Sequence, residues 1–375
     1  MCNLDNSNNM KIAHITDCLR GGGIQNLLLS LLPEQVKQGH EVTLIVIEQY
    51  DYDYCRHLDC MLADCGVKVL CLNKIKHNKL SMLRTISICR KKVGKIQPDI
   101  VNTHGTMSHI YGAIAVLGKR ILQVTTIHNA PEVWPQICKL FCSAKPHIFC
   151  SVSAFDMRQQ NSGRMTIIEN GISSAIVKNT DKANLKKELS LKPSDKVIVL
   201  VGSLRPQKNY EFLKSIVDET KDPSLHFCIC GGNYGKGYIP ASVFEGYEKN
   251  IHLLGLRSDV SAIENCADLF LSCALFEGLP MAVLEAYFNG IPCVLSPIPQ
   301  HQKISDVEYV WIPKEFTPTA FVASIYEALK CNLSHEQIYE SRKKQIAKYE
   351  IARTCEKYVA FYKEILASSP SPKKS

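Results

Sequence analysis

The sequence predicts an α/β protein of two doubly wound domains, and three observations carry that prediction. Short apolar runs alternate with helical patterns along nearly the whole chain, which gives parallel sheets with helices on both faces. The alternation stops once, over the polar stretch Ser173 to Lys182, and resumes at Lys196. At 375 residues, with 46% hydrophobic and 21% charged residues, the chain can bury two cores of ordinary size. The expected domains are residues 1–175 and 176–350, followed by a closing helix at 351–367 and a tail of Ser, Pro and Lys at 368–375.

Composition excludes several classes. No run approaches about 18 uninterrupted apolar residues, and Met1 to Met10 is polar, so neither a membrane span nor a signal peptide is expected. The 17 Cys are odd in number and include no CxxC pair, which suits a reducing cytosol with most thiols serving as small core residues. Metal binding is the sharper alternative. The net charge of +8 is concentrated between Lys74 and Lys95, where Lys74, Lys76, Lys79, Arg84, Arg90, Lys91, Lys92 and Lys95 occur without an acid. Leu80, Leu83, Ile86, Ile88 and Val93 interleave with them, so the segment reads as a basic amphipathic helix. It is either a solvated face or a contact for anionic lipid headgroups. No nucleic-acid module accompanies it.

In chain order, Lys11 to Thr16 is a strand, Gly21-Gly22-Gly23 a flexible turn and Ile24 to Lys37 a helix. Glycines here permit positive φ and let a ligand touch backbone at a helix N-terminus, although the spacing is not GxGxxG. Strand-like runs follow at Glu41 to Ile47, Val67 to Leu72, Asp99 to Thr103, Ile121 to Ile127, His147 to Val152 and Arg164 to Glu169. Ligands of such sheets bind at the carboxyl ends of strands. His104 and His128-Asn129, each just after a strand, are therefore expected to face that crevice.

The second alternation places strands at Val197 to Val201, Leu225 to Cys230, Ile251 to Leu254, Asp268 to Ser272 and Pro292 to Leu295. Helices are expected at Tyr210 to Glu219, Asp259 to Cys266, Ala320 to Leu329, His335 to Tyr349 and Ala352 to Leu366. After Val201 comes Gly202-Ser203-Leu204-Arg205-Pro206-Gln207-Lys208-Asn209, a strand-end loop able to set two cations on a diphosphate. After Ser272 comes Phe276 to Ala286, in which a turn at Gly278-Leu279-Pro280 opens a helix. Helix N-termini attract phosphate, and carboxylates repel it. Glu277 in the turn and Glu285 inside the helix are thus expected to accept hydrogen bonds from hydroxyls on either side of a diphosphate, the layout of a sugar nucleotide.

With Gly21-Gly22-Gly23, His128-Asn129, Asn170-Gly171, Gly202 to Asn209, Gly255 to Val260 and Glu277 to Glu285 in this order, the chain resembles the family-4 (group 1) retaining glycosyltransferases, and within them the bacterial capsule and exopolysaccharide enzymes. The resemblance implies the B-type fold, two facing Rossmann-like domains, with the C-terminal helix packing back on the first. It implies that Glu277 meets the donor sugar and Glu285 the ribose, that Arg205 and Lys208 hold the diphosphate, and that His128 lies beside the reacting centre. Gly21, Gly22 and Gly23, with Gly202, Gly278 and Leu279, would close on the diphosphate. No cofactor or metal is implied, because cations and helix N-termini take the metal's part; the donor would be a nucleoside-diphosphate sugar, most readily a UDP-sugar. Some positions depart from the family pattern: Ser203 stands where Arg is common, Asn129 and Ser173 where Asp is common, and Pro297-Ile298-Pro299 replaces paired glycines.

The expected function is transfer of a hexose or N-acetylhexosamine, with retention, to a glycan acceptor that is lipid-linked, in polysaccharide synthesis in the cytoplasm or on the cytoplasmic face of the membrane. A non-catalytic glycan-binding or accessory subunit is the alternative; it would be expected to lose the cations or the first Glu, and candidates for both are present. An epimerase on the same fold is a third reading, separable by whether nucleotide is released only with acceptor.

Overall fold

The computed structural model describes residues 9–20, 22–50, 53–75, 78–128, 136–151, 164–173, 182–233 and 237–368. The chain forms two units: residues 1–20, 24–171 and 351–375 in unit 1, residues 21–23 and 172–350 in unit 2.

Unit 1 holds one parallel sheet of seven strands: β1 (Lys11–Thr16), β2 (Glu41–Glu48), β3 (Lys68–Lys74), β4 (Ile100–His104), β5 (Leu122–Ile127), β6 (His147–Phe149) and β7 (Met165–Ile167). Their order is β3-β2-β1-β4-β5-β6-β7, so the winding reverses between β1 and β4. The central strands are buried almost throughout, as helices on both sides require. Those helices include α1 (Gly23–Lys37), α2 (Asp53–Asp64), α3 (Lys79–Ile96), α4 (Thr106–Val116) and α5 (Gln136–Cys142).

The last helix, Ile351–Ala367, belongs to unit 1 as expected. Its apolar residues at Ile351, Cys355, Tyr358, Tyr362 and Ile365 fall at i+3 and i+4 spacing and bury against Ile12, Leu27, Ile100, Val124 and Ile148. Each fully buried side chain of this size contributes about 1.5–3 kcal/mol.

Unit 2 repeats the design with six parallel strands: β8 (Lys196–Val201), β9 (Leu225–Cys230), β10 (Ile251–Gly255), β11 (Leu269–Ser272), β12 (Cys293–Leu295) and β13 (Val310–Trp311). Their order, β10-β9-β8-β11-β12-β13, reverses between β8 and β11. One apolar cluster carries the helices Val260–Cys266 and Met281–Phe288, the other Phe212–Thr220 and Pro318–Leu329. The two-residue edge strand β13 escaped the sequence reading because so short a run has no measurable period.

The described cysteines are mostly buried, and among the described residues no group of three or more His, Cys, Asp or Glu is placed to hold a metal ion. Among those residues no helix is long and apolar enough to cross a membrane.

Candidate active site

In unit 2 the site forms where the winding reverses, at the ends of β8 and β11. Gly202 follows β8 with φ +143°; its N–H donates to the Cys230 carbonyl at 2.9 Å and its own carbonyl accepts from the Tyr210 hydroxyl at 2.9 Å. Gly231 faces it so closely that a Cβ there would lie 1.8 Å from the Gly202 oxygen, so both chains at this edge must stay bare. Arg205 then caps a single 3₁₀ turn, Pro206–Lys208, closed by Asn209 in the left-handed region at φ 54°.

That turn zips onto the loop after β11. The Leu275 N–H donates to the Gln207 carbonyl at 2.9 Å, and the Gln207 amide donates to the Phe276 carbonyl at 2.8 Å and to Glu277 Oε2 at 3.2 Å. Lys208 Nζ lies 2.7 Å from Glu277 Oε1, with the Glu277 side chain 8% exposed and that of Lys208 21%. Two residues predicted to face different parts of one ligand are therefore partners of each other. The pair keeps a nearly buried carboxylate satisfied beside a site for phosphates. Arg205 is held differently: its guanidinium lies over the Tyr238 ring, 5.3 Å from the centroid, and donates to the Tyr238 hydroxyl at 2.9 Å.

Past Glu277, Gly278 and Leu279 are half-buried, Pro280 caps the helix Met281–Phe288 at φ −77°, and Glu285 is half-buried on it. Behind Glu285, Glu264 is fully buried, accepts a hydrogen bond from the Asn289 amide and has its other oxygen unpartnered; Asn289 Oδ1 accepts from the Ser261 hydroxyl at 2.8 Å. Burial first, then the neighbouring Glu285 carboxylate, push the Glu264 carboxyl well above its usual range, against a smaller opposing effect of Asn289. Glu264 is thus a neutral acid. Sequence reading passed over it, although a Glu at i+4 from Val260 and beside Ile263 falls on the helix's buried side. Gln207, Tyr210 and Tyr238 gave no signal of their own. The Gly255 to Val260 stretch is held by Arg257, which pairs with Asp259 at 2.8 Å and Glu188 at 2.7 Å.

Gly22 and Gly23, which group with unit 2, are exposed, and Gly23 does not take a positive φ and is the first residue of α1; Gly21 and, in unit 1, Asn129 lie outside the described residues. His128 directly follows β5, as expected. His104 does not follow its strand: it is the last residue of β4 and fully buried, which corrects the expectation that it faces the crevice. The reason is register. β1 and β4 pair His14 with Asn102 and Thr16 with His104, while β4 and β5 pair His104 with Thr126, so alternate residues bring His14 and His104 to one sheet face.

There they form a single file with His128. Gln35 Oε1 lies 2.9 Å from His14 Nε2, His14 Nδ1 lies 3.0 Å from His104 Nε2, His104 Nδ1 lies 2.9 Å from His128 Nε2, and His128 Nδ1 lies 3.2 Å from Cys150 Sγ. Burial lowers the pKa of His14 to about 4 and of His128 to about 3, and that of His104 well below the usual 6.5, so all three rings are neutral.

The basic segment is α3 with Lys74 ahead of it; Lys76 lies outside the described residues. Lys74 departs from the expected solvated row: it ends β3, is buried and pairs with Glu48 at 3.7 Å. Arg90 donates to the carbonyls of Ile114 and Leu117 and so finishes α4. Leu80 and Leu83 point outward, 79% and 62% exposed, whereas Ile86 and Ile88 are partly buried and Val93 fully.

Two α/β domains that each carry polar groups at the reversal of a parallel sheet define a class of ligand-binding folds, and comparison with known proteins fixes the family. The model for Glycosyltransferase Family 4 matches residues 21–175 and that for Glycosyl transferases group 1 matches residues 181–345. The chain belongs to the family-4, group 1 glycosyltransferases. It is similar to the UDP-Gal:alpha-D-GlcNAc-diphosphoundecaprenol alpha-1,3-galactosyltransferase of Escherichia coli, 27% identical over 77% of this chain and 80% of that one. The O-antigen biosynthesis glycosyltransferase WclY of Escherichia coli is 23% identical over 79% of this chain and 83% of its own. Among solved structures, Anabaena Alr3699/HepE in complex with UDP and glucose aligns over 96% of this chain and 100% of its own, with TM-score 0.75 at 15% identity, a likeness of fold. The B-type, two-domain architecture inferred from the motifs is the one observed.

Proposed function

We propose that this chain transfers a hexose or N-acetylhexosamine from a nucleoside-diphosphate sugar, most readily a UDP-sugar, to a lipid-linked glycan with retention of the anomeric configuration. It would do so without a metal. The observation that carries the reading is the Lys208–Glu277 pair with Arg205 at the β8/β11 edge: cations for a diphosphate and a carboxylate for sugar hydroxyls, built on one pair of strand ends. The names of the relatives support it, since they describe a UDP-sugar donor, a diphosphoundecaprenol acceptor and O-antigen synthesis.

In this reading, departure of the diphosphate is the step to assist. Arg205, Lys208 and the N–H groups at the start of the helix Met281–Phe288 stabilise its growing charge, a type of contribution worth about 2.7–4 kcal/mol per preorganised donor. Glu277 accepts from the donor sugar and Glu285 from the ribose. The acceptor hydroxyl attacks on the face the diphosphate leaves and gives its proton to the leaving phosphate. His128 takes part at the reacting centre in this reading.

A panel of nucleotide sugars in a thermal-shift assay tests the donor, because a ligand at about 100 times its dissociation constant adds about 2.7 kcal/mol. Nucleoside diphosphate should then appear only when an acceptor glycan is added, and the product linkage should keep the donor's anomeric configuration. Release without acceptor, or an inverted product, overturns the reading.

A further inference from the structure

We infer that Gln35, His14 and His104 are positioning residues that hold His128 as one neutral tautomer, protonated on Nε2, with its Nδ1 lone pair offered to a hydroxyl donor. The inference rests on the reading of His128 as unit 1's contribution to the reaction.

A neutral imidazole has one N–H and one lone pair. In a file of such rings, each bonded to the next, every donor must point the same way, so the two ends decide the direction for all. At one end Gln35 presents Oε1 to His14. The phenol oxygen of Tyr362, which accepts from Asn102 Nδ2 at 2.6 Å, lies beside the same amide and suits its nitrogen. An amide oxygen only accepts, so His14 must donate from Nε2. Its Nδ1 then accepts from His104 Nε2, and His104 Nδ1 accepts from His128 Nε2. The other end agrees: a thiol gives its hydrogen to an imidazole nitrogen more readily than its sulfur accepts one, so Cys150 donates to His128 Nδ1. Burial supports the scheme by keeping all three rings uncharged.

The thiol is the weakest donor in the file, and in this inference a ligand hydroxyl takes its place on His128 Nδ1. A sugar or acceptor hydroxyl at the place of the Cys150 S–H would meet a fixed acceptor, and no proton would need to be rearranged as it bound. The part played by Gln35, a buried side chain on the first helix, is to set the tautomer of a ring three bonds away.

Two-bond nitrogen–proton correlation spectra of the full chain labelled at histidine nitrogen read the tautomers directly. His14, His104 and His128 should each carry hydrogen on Nε2; hydrogen on Nδ1 of His128, or a mixture there, overturns the inference. Gln35→Leu removes the terminal acceptor and should give mixed tautomers at His128 with transfer reduced about tenfold, as loss of an orienting partner does elsewhere. Gln35→Glu, which can still accept, should restore the single tautomer and the rate. An unchanged His128 spectrum in Gln35→Leu also overturns the inference, and if that variant does not fold, the wild-type and Gln35→Glu spectra decide it. Full transfer by His128→Ala would overturn the reading of His128 itself, while the spectra would still judge the file.

Discussion

At the reversal of the unit 2 sheet, Lys208 and Glu277 meet as an ion pair 2.7 Å apart; at the reversal of the unit 1 sheet, His14 and His104 meet as neutral rings 3.0 Å apart. Both edges arise from the same winding rule, and both gather polar groups from strands distant in sequence. They differ in how the groups are satisfied. Unit 2 uses charge on short loops beyond the strands, an ion pair whose lysine is 21% exposed and whose carboxylate is nearly buried. Unit 1 places its polar groups within the strands, where burial forbids charge and only alternating donors and acceptors are stable. The proposed function gives the first edge an anion and the second hydroxyl groups.

The comparison is broken most strongly at the ion pair. Glu277→Gln should reduce turnover by about 10²–10³ while nucleotide affinity changes little, because the contacts proposed for it are with the sugar. Lys208→Ala should lower turnover as much and also destabilise the fold, by about 3–5 kcal/mol, since a nearly buried carboxylate loses its partner. The double variant should then be more stable than Lys208→Ala alone, as a Gln at 277 needs no cation. Steady-state kinetics with urea unfolding of all three reads this out; equal, mild effects at Lys208, Arg205 and Ser203 would reduce the loop to a solvated turn.

Next in size is the bare backbone beneath that pair. Gly231→Ala would set a methyl group 1.8 Å from the Gly202 oxygen and should cost about 1–3 kcal/mol while weakening donor binding. A thermal melt with and without UDP-sugar measures both, and an unperturbed melt would show that the two loops are free to part.

The buried titratable groups should give both units an acid arm, through His14 and His128 in unit 1 and His301 in unit 2, and unit 2 an opposing arm through Glu264. Unfolded histidines take up protons below about 6.5, whereas folded His14 resists to about 4 and His128 to about 3. The unfolded state binds more protons there, so unit 1 loses stability as pH falls from 6.5. Unfolded Glu264 ionises above about 4.5 while the folded residue stays protonated, so unit 2 loses stability as pH rises from that value. Each group contributes a slope of about 1.4 kcal/mol per pH unit. His128→Gln should flatten the acid arm of unit 1 and Glu264→Gln the opposing arm of unit 2; urea midpoints between pH 4 and 8 test both, and slopes unchanged by the substitutions would return these residues to ordinary polarity.

How much of this could be read from sequence differed between the two edges. Arg205, Lys208, Glu277 and Glu285 sit in loops or helix starts directly after apolar runs, so their chemistry is visible in a local window. Their pairing is not, because Lys208 and Glu277 are joined only once β8 and β11 are neighbours in the sheet. The histidine file is harder still: His14, His104 and His128 lie on three strands or strand ends, and their meeting depends on strand order and residue parity together. Glu264 is read as a surface carboxylate unless the buried side of its seven-residue helix is known. The fold needed less, since length, alternation and the single polar break already define two wound sheets.

The smallest expected effect per residue lies on the outer surface of unit 1. Leu80, Arg84, Ser87, Lys91 and Lys95 recur on α3 at i+3 and i+4 spacing, and all are exposed, so this helix presents three cations, one apolar residue and one hydroxyl toward solvent. A lipid-linked acceptor calls for such a face. Each cation near an anionic surface contributes about 1 kcal/mol before screening, and the attraction fades beyond a Debye length of about 8 Å at physiological salt. Arg84, Lys91, Lys92 and Lys95 changed together to Gln should lower co-sedimentation with vesicles of anionic lipid and leave transfer to a short soluble acceptor untouched. Arg90 is left in place because its guanidinium finishes α4, and its loss would mix a structural effect with an electrostatic one. Leu80→Ser with Leu83→Ser should weaken the binding that survives high salt. Co-sedimentation indifferent to salt and to all six changes would assign this face to water, and acceptor recognition would then rest on the strand ends alone.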